Sequence, residues 1–153
     1  MDSDMHELVA DFVGRHTWAV VGASNDREKY GNRVYRVLRQ RGYQVYPVHP
    51  TLETVEGDRA YANVSVLPAG VEVVNIVIPP PRVARVLDMA LAAGISRVWL
   101  QPGAESDAVL AYAATLDLQI VAGGPCAMVS ARRWPDAPPH AASASTSASQ
   151  DEA

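Results

Sequence analysis

The chain lacks most of what several functional classes require. It holds one cysteine, Cys126, in 153 residues, so an internal disulfide is impossible and a reducing, cytoplasmic setting is expected. Its four histidines (His6, His16, His49, His140) are scattered, and none has metal-ligand spacing. There is no basic excess. Thirteen Lys plus Arg stand against seventeen Asp plus Glu, a formal net charge of −4, which argues against a duplex-binding module. No apolar run approaches the roughly 20 residues of a membrane-spanning helix. The opening MDSDMHELVADF also lacks the basic and apolar regions of a secretory signal. No internal repeat is visible. A soluble, single-domain protein remains, because this length suffices for one ordinary domain and not for two.

Composition then divides the chain. Residues 137–153 contain six Ala and four Ser and no large apolar side chain. Such a segment cannot bury enough surface to offset its ordering entropy, so it is expected to be a disordered tail. Folding is expected over residues 4–134. Asp4 and Glu7 have capping-box spacing, and Met5, Leu8, Val9, Phe12 and Val13 follow on one helical face before Gly14.

From Thr17 onward, short apolar runs alternate with helical stretches. Trp18–Val21 reads as a buried strand, Gly31–Arg41 as a helix, and Gln44–Val48 as a second strand. A weak third strand is expected around Arg59–Tyr61. Val71–Ile78 is the strongest strand signal, and Pro79-Pro80-Pro81 stops it and presets a helix carrying Val83, Val86, Leu87, Ala90 and Leu91. Arg97–Leu100 (strand), Ser106–Leu116 (helix) and Gln119–Ala122 (strand) complete the pattern, followed by Gly123-Gly124-Pro125-Cys126. This alternation implies right-handed crossovers and a parallel sheet, a Rossmann-like, doubly wound α/β fold.

In such sheets ligands sit beyond the carboxyl ends of the strands, near the reversal of strand order. The loop Gly22-Ala23-Ser24-Asn25 leaves the first strand for a helix, where nucleotide-binding sheets cradle phosphates. Gly22 permits a sharp turn, Ser24 and Asn25 offer donors, Arg27, Lys29 and Arg33 add positive charge, and Gly31 permits a second close approach. The alternative is a plain turn with solvated charges. This is not the dinucleotide fingerprint, which needs a glycine at Ser24 and a shorter loop. Nor does the second strand end in the acid that grips an NAD ribose; it ends Val48-His49-Pro50.

The string VVGASNDREKYGNRVYRVLRQRGYQVYPVHP resembles the opening of small, stand-alone CoA-binding-domain proteins, related to the N-terminal domain of the succinyl-CoA ligase α subunit. The likeness runs from about Phe12 to Val129 and includes Asp58-Arg59-Ala60-Tyr61, Val74-Asn75 and the late Pro125-Cys126. It implies that coenzyme A or an acyl-CoA is the ligand. By the same likeness Ser24, Asn25 and the helix behind Gly31 hold the diphosphate, and His49 and Pro50 line the adenosine pocket. Ile78-Pro79 and Gln101-Pro102-Gly103 flank the pantetheine arm. Two departures stand out. Relatives often carry Lys just after the proline of the second strand, where this chain has Thr51-Leu52. Many also have basic residues where this chain has Ile78-Pro79-Pro80-Pro81, so fewer cations face the phosphates.

A ligase of that type needs a second domain with a phosphorylatable histidine, and the tail offers none. The expectation is therefore a non-catalytic binding, sensor or regulatory module for a small nucleotide-like ligand, with no nucleic-acid or membrane partner. An NAD(P)- or other nucleotide-using enzyme is the rival, and an interaction subunit that has lost its ligand is a third reading. A protein partner or homo-oligomer is left open. Cys126 and His49 are the one nucleophile–base pair worth testing, against the blander reading of Cys126 as an inert thiol. Tyr30 either stacks on a ligand or covers the site.

Overall fold

The computed structural model describes residues 3–134. The expected disordered tail, 137–153, lies outside the described residues. Helix α1 (Ser3–Val13) leads into β1 (Thr17–Val21), α2 (Tyr30–Gln40) and β2 (Gln44–Val48). A small hairpin follows, β3 (Thr54–Val55) and β4 (Asp58–Arg59), and then a 3₁₀ turn, Val64–Val66. The second half runs β5 (Val73–Ile76), a 3₁₀ turn at Pro80–Arg82, α3 (Val83–Ala92), β6 (Arg97–Leu100), α4 (Asp107–Ala113), β7 (Gln119–Val121) and α5 (Ala127–Ser130).

The five main strands form one parallel sheet in the order β2-β1-β5-β6-β7. Strand order reverses between β1 and β5, as in other doubly wound sheets. The side chains of alternate residues separate two apolar layers. Trp18, Val20, Val73, Trp99 and Val121 pack with Phe12, Val34, Tyr35, Leu38 and Ala127, from α1, α2 and α5. Ala19, Val21, Val74, Ile76, Val98 and Leu100 pack with Val83, Val86, Leu87, Val109 and Ala113, from α3 and α4. A sheet covered on both faces needs strands that are almost wholly apolar, and Val73–Ile76 is apolar except at Asn75, whose Nδ2 is hydrogen-bonded to Gln101.

The first layer is aromatic. Trp18 lies 5.7 Å from Trp99 and 5.6 Å from Tyr43, the latter edge-on. Each such pair adds about 0.5–1.5 kcal/mol beyond area burial. Their polar tips are satisfied by backbone. Trp18 Nε1 donates to Arg15 O at 2.7 Å, and Trp99 Nε1 donates to Pro125 O at 3.0 Å.

The third-strand expectation needs correction. Arg59–Tyr61 does not extend the main sheet. Arg59 belongs to the β3–β4 hairpin, and Tyr61 forms a single parallel bridge to Val48. The local reason is the two-residue turn Glu56-Gly57, both at positive φ (50° and 83°), which folds the segment back on itself. Strand β5 is also shorter than the apolar run suggested. Val71 lies before its ladder, while Val77 and Ile78 lie beyond it, at the carboxyl edge.

Candidate functional site

A cleft of about 650 Å³ opens at the carboxyl edge beside the β1/β5 reversal. That volume is in the usual range for small-molecule sites. Three walls meet there. The β1–α2 loop contributes Gly22, Ser24, Lys29, Tyr30 and Gly31; the end of β2 contributes Val48, His49 and Pro50; and the β5–α3 corner contributes Val77, Ile78, Pro81, Arg82, Arg85, Val86 and Met89. Ala62, Asn63 and Val64 close the remaining side. Lys29, Arg82 and Arg85 border the cleft, and among the described residues no Asp or Glu does. In a chain of net charge −4 this is a local reversal of sign.

The two loop glycines have a packing role. Gly22 stands at φ 105°, and a Cβ there would sit 2.4 Å from the carbonyl oxygen of Val77. A Cβ on Gly31 would sit 2.1 Å from the Gly22 carbonyl oxygen. Helix α2 thus begins directly against the turn leaving β1, and that turn lies directly against the end of β5. The close approaches that require glycine are between backbone segments of the protein itself.

Much of the loop is fastened to the β3–β4 hairpin. Asn25 Nδ2 donates to Thr54 O at 2.9 Å, and Asn25 Oδ1 accepts from the Glu56 amide at 2.9 Å. Glu56 takes both Arg27 Nη2 (2.9 Å) and Arg27 Nε (3.1 Å), together with Asn32 Nδ2 at 2.9 Å. Asn32 Nδ2 also donates to Ser24 O at 2.7 Å. Hydrogen bonds from Arg27 and Asn32 hold the Glu56 carboxyl far below its ordinary value, at about 2. These contacts explain how a non-glycine residue is kept at positive φ. Asn25 and Arg27, read from sequence as ligand contacts, are thereby engaged with the hairpin, and neither borders the cleft.

Helix α2 starts without help. Its N-cap, Lys29, makes no side-chain capping bond, and the first turn carries no acid, so its opening amides are left for an outside acceptor. His49 is oriented by backbone. Its Nδ1 accepts from the amides of Thr51 (3.1 Å) and Leu52 (3.2 Å), which in the neutral ring leaves Nε2–H as the free donor.

A polar chain runs beneath the same edge. The Ala127 amide donates to Gln101 Oε1 at 2.8 Å, and Asn75 Nδ2 donates to the same atom at 3.1 Å. A backbone N–H can only donate, so Gln101 Nε2 is turned toward Tyr30 Oη (2.9 Å) and Cys126 Sγ (3.4 Å). Tyr30 Oη accepts that hydrogen and lies 2.9 Å from Cys126 Sγ, a contact in which either group can donate. Burial pushes the Cys126 thiol up, but the hydrogen bonds from Tyr30 and Gln101 with those of the Met128 and Val129 amides outweigh it, and the net shift is downward. Burial, foremost, pushes Tyr30 up to about 12. Among the described residues no hydrogen bond joins Cys126 to His49, so the pair singled out from sequence is not assembled.

Of the residues expected at a ligand, Gly22, Ser24, Lys29, Gly31, His49, Pro50 and Ile78 border the cleft. Ala23 is fully buried against the aromatic layer. Pro79 faces solvent, and Gln101 is fully buried, with Pro102 and Gly103 following outside the cleft lining. The sequence reading passed over Arg82, Arg85 and Asn63. For the two arginines a signal existed: i,i+3 spacing at a helix start with no acid in the first turn.

Comparison with known proteins places the fold. The model of the CoA binding domain family matches residues 16–132. The α subunit of acetate–CoA ligase (ADP-forming) II from Pyrococcus furiosus is 41% identical over 70 residues, 45% of this chain; the match spans only 15% of that subunit. A conserved hypothetical protein from Pyrococcus furiosus is similar at 36% identity with a TM-score of 0.71, covering 74% of this chain and 97% of that one. Dinucleotide-forming acetyl-coenzyme A synthetase 1 from Ca. Korarchaeum cryptofilum matches at 30% identity and TM-score 0.59, over 69% of this chain and 25% of that one. With more than two thirds of its length matched to the family, this chain belongs to the CoA binding domain family.

Proposed function

We propose that the chain binds coenzyme A or an acyl-CoA in the cleft at the β1/β5 reversal, as a binding, sensor or regulatory module without chemistry of its own. The observation that carries this reading is the lining: among the described residues, three cations and no carboxylate, together with the apolar Val21, Val48, Val77 and Val86, in an acidic chain. Family membership supplies the ligand class. Ser24, Lys29 and the uncapped start of α2 suit the diphosphate, since helix N-termini favour anions. His49 and Pro50 suit the adenosine, with Nε2–H as a donor, and Val77 and Ile78 offer apolar surface to the pantetheine arm.

NAD fits less well. Its ribose is held in related sheets by a carboxylate at the end of the second strand, and among the described residues no carboxylate borders this cleft. Native mass spectrometry of freshly purified protein should show co-purified CoA or acyl-CoA. Thermal-shift titrations at one fixed salt concentration should rank CoA above NAD, with dephospho-CoA between them. Stabilisation by NAD equal to that by CoA overturns the reading.

A further inference from the structure

The chain's Lys and Arg residues sort themselves by partner. Nine of the thirteen have a side-chain hydrogen bond, ion pair or aromatic stack; for example, Arg15 and Arg97 pair with Asp11, Arg39 with Asp58, and Arg41 with the carbonyls of Met128 and Ala131. Among the described residues Lys29, Arg82, Arg85 and Arg133 have none, and three of these four border the cleft.

Arg82 and Arg85 are also placed against local preference. Arg82 is the N-cap of α3 and Arg85 lies in its first turn, with no acid there to offset them. Cations at a helix N-terminus oppose the helix dipole, and like charges three residues apart on one face repel. The nearest acid along the helix, Asp88, accepts instead from Tyr112 Oη at 2.6 Å. A local conflict left uncompensated by the protein is the mark of a site compensated by a ligand.

We infer that Arg82 and Arg85 form a second anion site in the cleft, on the β5–α3 wall, that recognises the 3′-phosphate of the CoA ribose. It would supply from the start of α3 the charge that Thr51-Leu52 and the proline run do not. This inference rests on the CoA reading and adds the residues that set preference among adenosine ligands. A guanidinium presents forked donors that match phosphate oxygens, and two of them spaced one turn apart can share one phosphate.

Isothermal calorimetry with CoA and dephospho-CoA, at one fixed salt concentration, tests it. The unaltered protein should prefer CoA by roughly ten- to a hundredfold, the worth of charge-assisted phosphate contacts. The double variant Arg82→Ala/Arg85→Ala should bring the two ligands to roughly equal affinity while leaving dephospho-CoA binding nearly unchanged. Both side chains are exposed, so its melting temperature should match the parent's. Arg133→Ala, which removes the fourth unpartnered cation, should leave the CoA preference intact. A double variant that keeps the full preference overturns the inference and leaves the CoA reading standing. Failure of the unaltered protein to bind either ligand overturns both.

Discussion

Two of the three walls of the cleft differ in how the polar groups on and behind them are used. Behind the β1–α2 wall, outside the cleft lining, Asn25, Arg27, Asn32 and Glu56 bond to one another or to backbone, and the loop is locked to the β3–β4 hairpin. On the β5–α3 wall, Arg82 and Arg85 have no side-chain partner among the described residues. A buried or half-buried polar group that is already satisfied gains little from a ligand, whereas an unpaired cation in a cleft keeps its whole interaction in reserve. The first wall therefore supplies shape, backbone and one cation, Lys29, and the second supplies two cations.

The harshest way to break this comparison is at the joint of the first wall. Gly31→Ala places a Cβ where the Gly22 carbonyl stands, and neither helix α2 nor the β1 turn has slack to yield. Overpacking of this kind costs about 1–3 kcal/mol, and more when the opposing atom is backbone. A fall in melting temperature of roughly 10 °C, or insolubility, is expected by calorimetry. A Gly31→Ala protein as stable as the parent would show that the turn is not locked. Gly22→Val should behave the same way, through Val77, so loss of ligand binding in that variant would report on folding before it reported on phosphate.

A gentler cut removes only the charge of the clamp. Glu56→Gln keeps the shape and loses the ionic bonds to Arg27. Because Arg27 is largely exposed, solvent screening discounts the pair, and about 1 kcal/mol of destabilisation is expected. The carboxyl's folded value, about 2, lies below its ordinary 4.5. Its contribution is therefore complete above the ordinary value and is lost as pH falls toward 2. Acid unfolding curves of parent and Glu56→Gln should converge over that interval. Parallel curves would mean that Glu56 contributes nothing through its charge. Arg82→Ala/Arg85→Ala, cut from the other wall, should show no such convergence.

The smallest effect is expected from the C-terminal residues, on composition alone. Residues 137–153 contribute no core-forming side chain, so truncation after Asp136 should leave melting temperature and CoA affinity nearly unchanged. A loss of several degrees would assign those residues a packing role.

Strand and helix alternation was legible in the sequence, because short apolar runs and period-3.6 stripes are local and survive without knowledge of the partners. The run Val71–Ile78 announced a strand, and the stripe of Val83, Val86, Leu87, Ala90 and Leu91 announced the helix that covers one face of it, although Leu91 itself is exposed. The carboxyl-edge loops followed from that topology. What could not be read was the division of labour among polar residues near them. Asn25 and Arg27 had the chemistry of ligand contacts, yet their partners, Thr54 and Glu56, lie 29 residues away along the chain.

The sequence by itself determined the layered parallel sheet, the carboxyl edge on which the candidate site lies and the absence of an acid at the end of β2, since each depends on residue order and short-range periodicity. Only the tertiary structure decided that Gly22 and Gly31 serve backbone packing, that Cys126 meets Tyr30 and Gln101 instead of His49, and which cations are left over. Those are questions of pairing between segments distant in sequence. A charge is free for a ligand only when no other part of the chain has folded against it.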